Sequence, residues 1–263
     1  MISPLLTLAF FATALAYSMV GFGGSSTYNA LLVLADVDYR LIPVIALTCN
    51  ILVVTGGVYC FWREGHFNLR EILPFVALSV PFAWLGGRIP VSEQLFVGLL
   101  GFALLLTGVQ MLGRRTRAES GQGHRRINPW LVGLPSGGAI GLLSGIVGIG
   151  GGIFLAPLLH LTRWAGAHRI AAASSAFILF NSVAGLTGQL MKQMSGETGR
   201  PWAGEQIIHA WPLFLVVVAG GQIGSRLGSR HLPERWVKSL TAVLVLYVAA
   251  RLLFKWYGMT FSQ

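Results

Sequence analysis

Long apolar segments alternate with short polar ones along this chain, and most of the apolar segments are long enough to cross a bilayer. A helix needs about 20 apolar residues to span the hydrocarbon core. Eight segments approach this length: 4–20, 41–62, 72–87, 94–112, 130–147, 168–190, 206–225 and 236–254. The pattern predicts an all-α, polytopic membrane protein with about eight transmembrane helices.

Two intervals between these segments, 21–40 and 148–167, are too apolar to be ordinary loops. Each opens with a cluster of glycines and continues into a short apolar run, at 31–34 in the first interval and at 154–159 in the second. Each interval therefore predicts a glycine break followed by a helix that lies within the membrane but is too short to span it.

The chain divides into two similar halves around a polar, basic linker at 113–129. Residues 1–112 form the first four-span repeat and residues 130–263 the second, and together they make one membrane domain. Four landmarks recur in the same order: the glycine clusters, Asn50 with Asn181, Arg88 with Arg226, and Glu93 with Glu234. Duplicated membrane halves commonly place the substrate site where the repeats meet.

The orientation of the two halves depends on the short helices. With four full spans in each half, the repeats run in the same direction, whereas short helices that cross fully would invert them. The eight-span count places eleven Lys and Arg residues on the linker side and eight on the other. Because cytoplasmic loops carry more Lys and Arg, this predicts that the linker and both termini are cytoplasmic.

Composition agrees with a membrane protein, since 54% of residues are hydrophobic and 11% are charged. Soluble domains have about 25% charged residues. The net charge of +10 either anchors cytoplasmic loops or concentrates anions near a pore mouth. The basic residues are scattered among lipid-like segments, which argues against a nucleic-acid partner and makes the lipid bilayer the main partner.

The glycine clusters are the first candidates for a binding site. A break exposes the first N–H groups of the following short helix, and these groups with the helix dipole can hold an anion. The alternative is that glycine only lets helices pack closely. The candidate residues are Gly21, Gly23, Gly24 and Ser25 in the first half, and Gly148, Gly150, Gly151 and Gly152 in the second.

Polar residues within the predicted spans are further candidates. Asn50, Asn181, Ser174 and Ser175 can donate hydrogen bonds to an oxyanion, or they can tie the broken helices in place. Arg88 and Arg226 end matching spans. They either attract anions at an entrance or extend to the lipid head groups.

Other chemistry finds little support in the sequence. No Asp or Glu lies clearly within a span, and Cys49, Cys60 and the histidines have no metal-ligand spacing. We therefore expect no metal, no cofactor and no cation substrate. His160 follows the second short apolar run and leaves proton coupling open, because histidine titrates near neutral pH. A homodimer is also left open.

The halves resemble the TauE/SafE family of sulfite and organosulfur anion exporters. The resemblance is carried by Gly21-Phe22-Gly23-Gly24, by the run 142–152 with Pro157, and by the duplicated layout, and it covers essentially the whole chain. Ser25 and Ala30 stand where the second half has Gly152 and Pro157, so the halves differ at the break.

The resemblance implies a secondary transporter of a small anion in the bacterial inner membrane, with sulfite or sulfoacetate as the expected substrate. An anion channel is the first alternative. A membrane-embedded enzyme is the second, and it would need convergent acids, bases or metal ligands that the sequence does not bring together.

Overall fold

The computed structural model describes residues 3–19, 21–63, 65, 69–113, 129–162, 164–165, 167–195, 204–227 and 234–261. These residues form eleven helices and no strand. The helices are α1 (Pro4–Ser18), α2 (Ser25–Leu34), α3 (Ile42–Arg63), α4 (Leu69–Arg88), α5 (Glu93–Gly113), α6 (Pro129–Val147), α7 (Gly152–Leu161), α8 (Ala167–Met194), α9 (Gly204–His209), α10 (Trp211–Leu227) and α11 (Glu234–Phe261).

The all-α architecture is confirmed. Among the described residues, five helices are long and apolar enough to cross a membrane: 42–63, 69–88, 93–110, 130–147 and 169–194. The total of eight spans remains a prediction.

Several observed helices are longer than the predicted spans, and one predicted span is divided. The segment predicted at 72–87 is a longer helix, α4, which begins at Leu69 with Glu71 in its first turn, where a carboxylate favours the helix dipole. The segment predicted at 206–225 is two helices, because Ala210 separates α9 from α10. Pro212 lies in the first turn of α10, where a missing backbone N–H costs no helical hydrogen bond.

The two glycine clusters interrupt the helices, as the sequence predicts. The first break lies between α1 and α2, and Gly21 and Gly24 have positive φ angles of 77° and 82°. The second lies between α6 and α7, where Gly148, Gly150 and Gly151 have φ angles of 73–78°. The following helices have 10 residues each and are about 15 Å long, half of a bilayer core.

Helices in corresponding places of the two halves run in opposite directions. Asn50 of α3 bonds Ser182 of α8. Seven residues further along α3, Gly57 lies beside Ser175, which is seven residues back along α8. This antiparallel arrangement contradicts the shared direction that follows from four full spans in each half.

The same reversal applies to α5 and α11. The Gln94 amide donates to Thr260 at 2.9 Å, and Lys255 lies 2.8 Å from Glu93, so the end of α11 is beside the start of α5. The end of α5, which precedes the linker, is at the other side of the bundle. The expectation that the C-terminus shares a side with the linker is therefore wrong.

Glycines of α6 bring its backbone against the backbone of α4. A Cβ atom at three of them would collide with an α4 carbonyl oxygen: Gly137 with Phe75, Gly141 with Ser79, and Gly145 with Ala83. Small residues at one-turn spacing allow this approach, and close van der Waals packing drives helix association in lipid. The helices α4 and α6 run parallel, because the residue numbers of the contacting pairs increase together along both helices.

We expect Gly141→Ala to destabilise the protein by about 1–3 kcal/mol, because overpacking forces the two backbones apart. Gly138→Ala is the matched control on the same helix, since its added methyl group would have no neighbour closer than 3.7 Å. Thermal unfolding in detergent measures the difference. Equal melting temperatures for the two variants would contradict the packing described here.

Candidate functional site

Asn50 connects the two glycine breaks at the centre of the protein. A Cβ atom at Gly23 would overlap its Oδ1, and one at Gly150 would overlap its Nδ2, so the amide fills the space between the breaks. Its Nδ2 donates to Ser182 Oγ at 2.9 Å. The Asn50 side chain is fully buried, so the breaks meet at a buried, polar point.

The first short helix binds the second break. Ser25 Oγ donates to the Ile149 carbonyl oxygen, and Asn29 Nδ2 donates to the Val147 carbonyl oxygen at 3.0 Å. The last carbonyls of a helix have no partners within that helix. The polar start of α2 therefore satisfies backbone groups that the end of α6 leaves open.

The second half binds the first break in return. Ser175 Oγ contacts the Gly21 carbonyl oxygen and also the Ala171 carbonyl oxygen of its own helix at 2.9 Å. Each break is therefore held by a helix of the other half.

Asn181 lies beside the second break, and only the oxygen of its side-chain amide has a hydrogen-bond partner among the described residues. Ser79 Oγ donates to Asn181 Oδ1 at 2.8 Å. The Nδ2 lies 3.5 Å from the place where Gly151 would carry a Cβ atom, and no described residue accepts a hydrogen bond from it. A buried donor is thus available at the second break.

The short helices begin with free backbone donors. The Gly24 carbonyl accepts from Thr27 and Tyr28 at 3.0 Å, and the Gly151 carbonyl accepts from Phe154 and Leu155 at 3.0–3.1 Å. The N–H groups of the first two residues of each helix have no acceptor among the described residues. These groups carry the positive end of the helix dipole.

Several other buried polar atoms also have no hydrogen-bond partner among the described residues. Such a group costs about 1–3 kcal/mol unless something satisfies it. None of them belongs to a charged side chain. They are Ser26 Oγ, Tyr28 OH, Asn29 Oδ1, Asn50 Oδ1, Ser144 Oγ, Ser174 Oγ, Asn181 Nδ2 and Gln193 Oε1.

The comparisons with known proteins agree with this architecture. The family described as "Sulfite exporter TauE/SafE" matches residues 5–252. The chain belongs to the TauE/SafE family. It is therefore a membrane transporter, and its apolar helices are consistent with a multi-pass protein of a bacterial inner membrane.

Individual relatives carry only a general name. A probable membrane transporter protein, y4hK, of Sinorhizobium fredii is 33% identical over 249 residues, which are 94% of this chain and 97% of that protein. Another, MJ0441 of Methanocaldococcus jannaschii, is 23% identical over 258 residues, which are 93% of this chain and 94% of that protein. No solved structure matches the chain.

In this TauE/SafE protein, most of the residues predicted for the site lie in the breaks or against them. Asn50 contacts Gly23 and Gly150, Asn181 lies near Gly151, and the Ser174 carbonyl oxygen is 3.5 Å from the place of a Cβ atom at Gly152. Their role in binding remains a prediction. The His160 side chain is outside the described part of the chain.

The two predicted entrance arginines lie at the ends of their helices. Arg88 ends α4 and stacks over the Trp84 ring at 5.4 Å, and Arg226 lies in the last turn of α10. Both are exposed. Stacking at a helix end is compatible with either role that the sequence leaves open for Arg88.

Ser79 and Ser182 are the side chains that the sequence reasoning missed. Each orients one of the two predicted asparagines. Ser182 directly follows Asn181 in the chain, but it faces Asn50 instead. Serine commonly bonds its own helix in membrane spans, so only the tertiary structure identifies these two as partners of an amide.

A separate cavity of about 770 Å³ lies where α2, α5 and α11 meet. Lys255 pairs with Glu93 at 2.8 Å, and Arg251 lies 3.8 Å from Asp36. The charged residues that line it are Asp36, Asp38, Arg40, Glu93, Arg251 and Lys255. Three cations balance three carboxylates, so net charge does not concentrate anions in this cavity.

We expect Gly23→Ala to abolish transport, because the new methyl group would displace the Asn50 amide from between the breaks. Asn50 has little freedom to retreat, since Ser182 holds its other end. Uptake into proteoliposomes measures the loss, with Gly138→Ala as the control that adds the same methyl group away from the breaks. Wild-type uptake by Gly23→Ala would remove Asn50 and the first break from the transport site.

Proposed function

We propose that this TauE/SafE protein is a secondary carrier for a small anion, either sulfite or an organosulfur anion such as sulfoacetate. The observation that supports it is a buried, uncharged hydrogen-bond donor, Asn181 Nδ2, that has no partner among the described residues beside the second of two helix breaks. The family description supports a sulfur oxyanion, whereas the curated relatives are named only as probable transporters.

Neutral donors suit a carrier that must release its substrate. Hydrogen bonds from N–H and O–H groups strengthen in the low dielectric of a buried site. A buried arginine or lysine would bind an anion more tightly and would also need a counter-charge when the site is empty. The unpartnered donors at the breaks provide attraction without that fixed charge.

The closed centre supports a carrier over a channel. Asn50 and Asn181 are fully buried in the structure. A channel would need a continuous water path past its selective groups, whereas alternating access encloses the substrate between two gates. No observation specifically favours the channel or the enzyme.

The helix directions support inverted repeats. We infer a pseudo-twofold axis in the membrane plane, because α3 pairs antiparallel with α8 and α5 pairs antiparallel with α11. The contact between α4 and α6 has its counterpart between α10 and α1, where Gly220 and Gly224 pack against the backbone of Phe11 and Leu15. Inverted repeats of this kind place the substrate at their interface.

The reversed second half also changes the charge count. An ion pair between Arg169 and Glu71 places the start of α8 with the start of α4, on the linker side. The helix directions tell which end of each helix lies on the linker side. Of the nineteen Lys and Arg residues, thirteen lie in the sequence at or next to such an end. The six on the other side are Arg40, Arg88, Lys192, Arg200, Arg251 and Lys255. This bias supports a cytoplasmic linker more strongly than the eight-span count.

We expect the C-terminus to be periplasmic, because the end of α11 lies across the bundle from the linker. Alkaline phosphatase fused after Gln263 should be active, and the same enzyme inserted in the linker at Ser120 should be inactive. Green fluorescent protein at the two positions should give the opposite pattern. An inactive phosphatase at the C-terminus would overturn either the inverted repeats or the cytoplasmic linker, and the Ser120 insertion tells which.

We expect uptake of ³⁵S-sulfite into proteoliposomes to saturate with concentration and to be accelerated by unlabelled anion on the other side. Saturation and counterflow follow from a site that faces one side at a time. Sulfoacetate, thiosulfate and sulfate as competitors define the substrate, and an imposed pH gradient tests proton coupling. Flux that rises linearly without counterflow would identify a channel, and no flux of any of these anions would reject the proposed substrate class.

A further inference from the structure

We propose that the second half alone supplies the principal oxyanion contact, through Asn181 Nδ2 and the first N–H groups of α7. Ser79 is the positioning residue that turns the Asn181 amide so that its NH₂ group faces the break. The inference rests on the proposed function and locates its substrate contact.

The two asparagines occupy corresponding places but differ in which end of the amide is free. Asn50 uses its NH₂ group to bind Ser182 and leaves Oδ1 unpartnered, whereas Asn181 uses Oδ1 and leaves its NH₂ group unpartnered. An anion is attracted by a donor and repelled by a carbonyl oxygen. Only Asn181 therefore presents an anion-binding group.

The free amide donor lies at a helix start that is itself a donor. Gly151 directly precedes α7, and Asn181 Nδ2 is 3.5 Å from the place of a Cβ atom at Gly151. The N–H groups of Gly152 and Ile153 have no acceptor among the described residues. The Asn181 donor and the start of α7 thus both lie beside Gly151, among the apolar side chains of Ile140 and Phe177, which are 2.8–2.9 Å from the same Cβ place. Donors at one helix start suit a compact oxyanion with several oxygen atoms.

The first break is less suited to this task. Its short helix begins with Ser25 and Asn29, and both already donate to carbonyl oxygens of the second break. In the second half, Gly152 stands at the place of Ser25 and has no side chain to make such a bond. Ser25 and Asn29 of the first half therefore support the second break, although the buried hydroxyls of Ser26 and Tyr28 in the same helix have no described partner.

The opposite orientation of the Asn181 amide is the competing arrangement. Its Oδ1 would then accept from the start of α7 as a helix cap, and Nδ2 would donate to Ser79. Asn181→Leu separates the two arrangements because it removes the amide without adding a charge. Loss of a capping Asn181 lowers stability by about 0.5–2 kcal/mol and leaves the helix start free to bind the anion, whereas loss of an anion-binding Asn181 weakens binding.

The test measures binding of ³⁵S-sulfite to purified protein at pH 8, with thermal stability recorded in parallel. We expect Asn181→Leu to weaken binding at least tenfold while the protein remains folded. We expect Ser79→Ala to weaken binding several-fold, because the freed amide can rotate, and Ser79→Thr to restore it by keeping the hydroxyl. Thr107→Val is the control, since the Thr107 hydroxyl is buried and bonds only Ala103 of its own helix.

The outcomes distinguish this inference from the proposed function. Wild-type protein that binds neither sulfite nor the other anions rejects the proposed function. Wild-type binding that Asn181→Leu leaves unchanged overturns the anion contact while the proposed function stands. Binding lost in Asn181→Leu but unchanged in Ser79→Ala keeps the contact and removes the positioning role of Ser79. Equal weakening in Thr107→Val would mean that loss of any buried hydroxyl impairs binding.

Discussion

Absence of water from the bilayer core is the constraint on which this structure depends. A helix broken within lipid leaves backbone groups that only the protein can satisfy. Here the polar start of α2 supplies donors to the carbonyls of Val147 and Ile149, and Ser175 supplies one to Gly21. Each half therefore supplies hydrogen bonds to backbone carbonyls at the break of the other half.

The same constraint explains why the centre suits an anion. Carbonyl oxygens at the breaks receive hydrogen bonds from serine and asparagine side chains, but the N–H groups at the starts of α2 and α7 do not find acceptors among the described residues. The free N–H groups and the Asn181 amide are donors that a negative solute can use, whereas Asn50 Oδ1 is an acceptor without a described partner. Close packing and anion binding were alternatives for the glycines on sequence grounds. Gly23 and Gly150 pack closely around Asn50, and anion binding remains the proposal.

Much of this could be predicted from sequence because it depends on local patterns. Glycine clusters between apolar runs predict the breaks, and an asparagine in mid-span marks a polar contact. Helix direction could not be predicted, because it depends on whether each short helix crosses the membrane or returns. Ser79 and Ser182 could not be predicted either, since a lone serine in a span most often bonds its own helix. Their partners are 102 and 132 residues away.

The hydrogen bonds that each break receives from the other half restrict how the breaks can move. If the first break and α2 move toward one side of the membrane, the bonds from Ser25 and Asn29 pull on the end of α6 or must break. Because the halves run in opposite directions, a movement that opens one break toward one side corresponds to opening the other break toward the opposite side. The bonds between the breaks oppose both movements. An anion that replaces some of the missing acceptors would therefore change the balance between the two openings, which is the physical requirement for coupling substrate binding to alternating access.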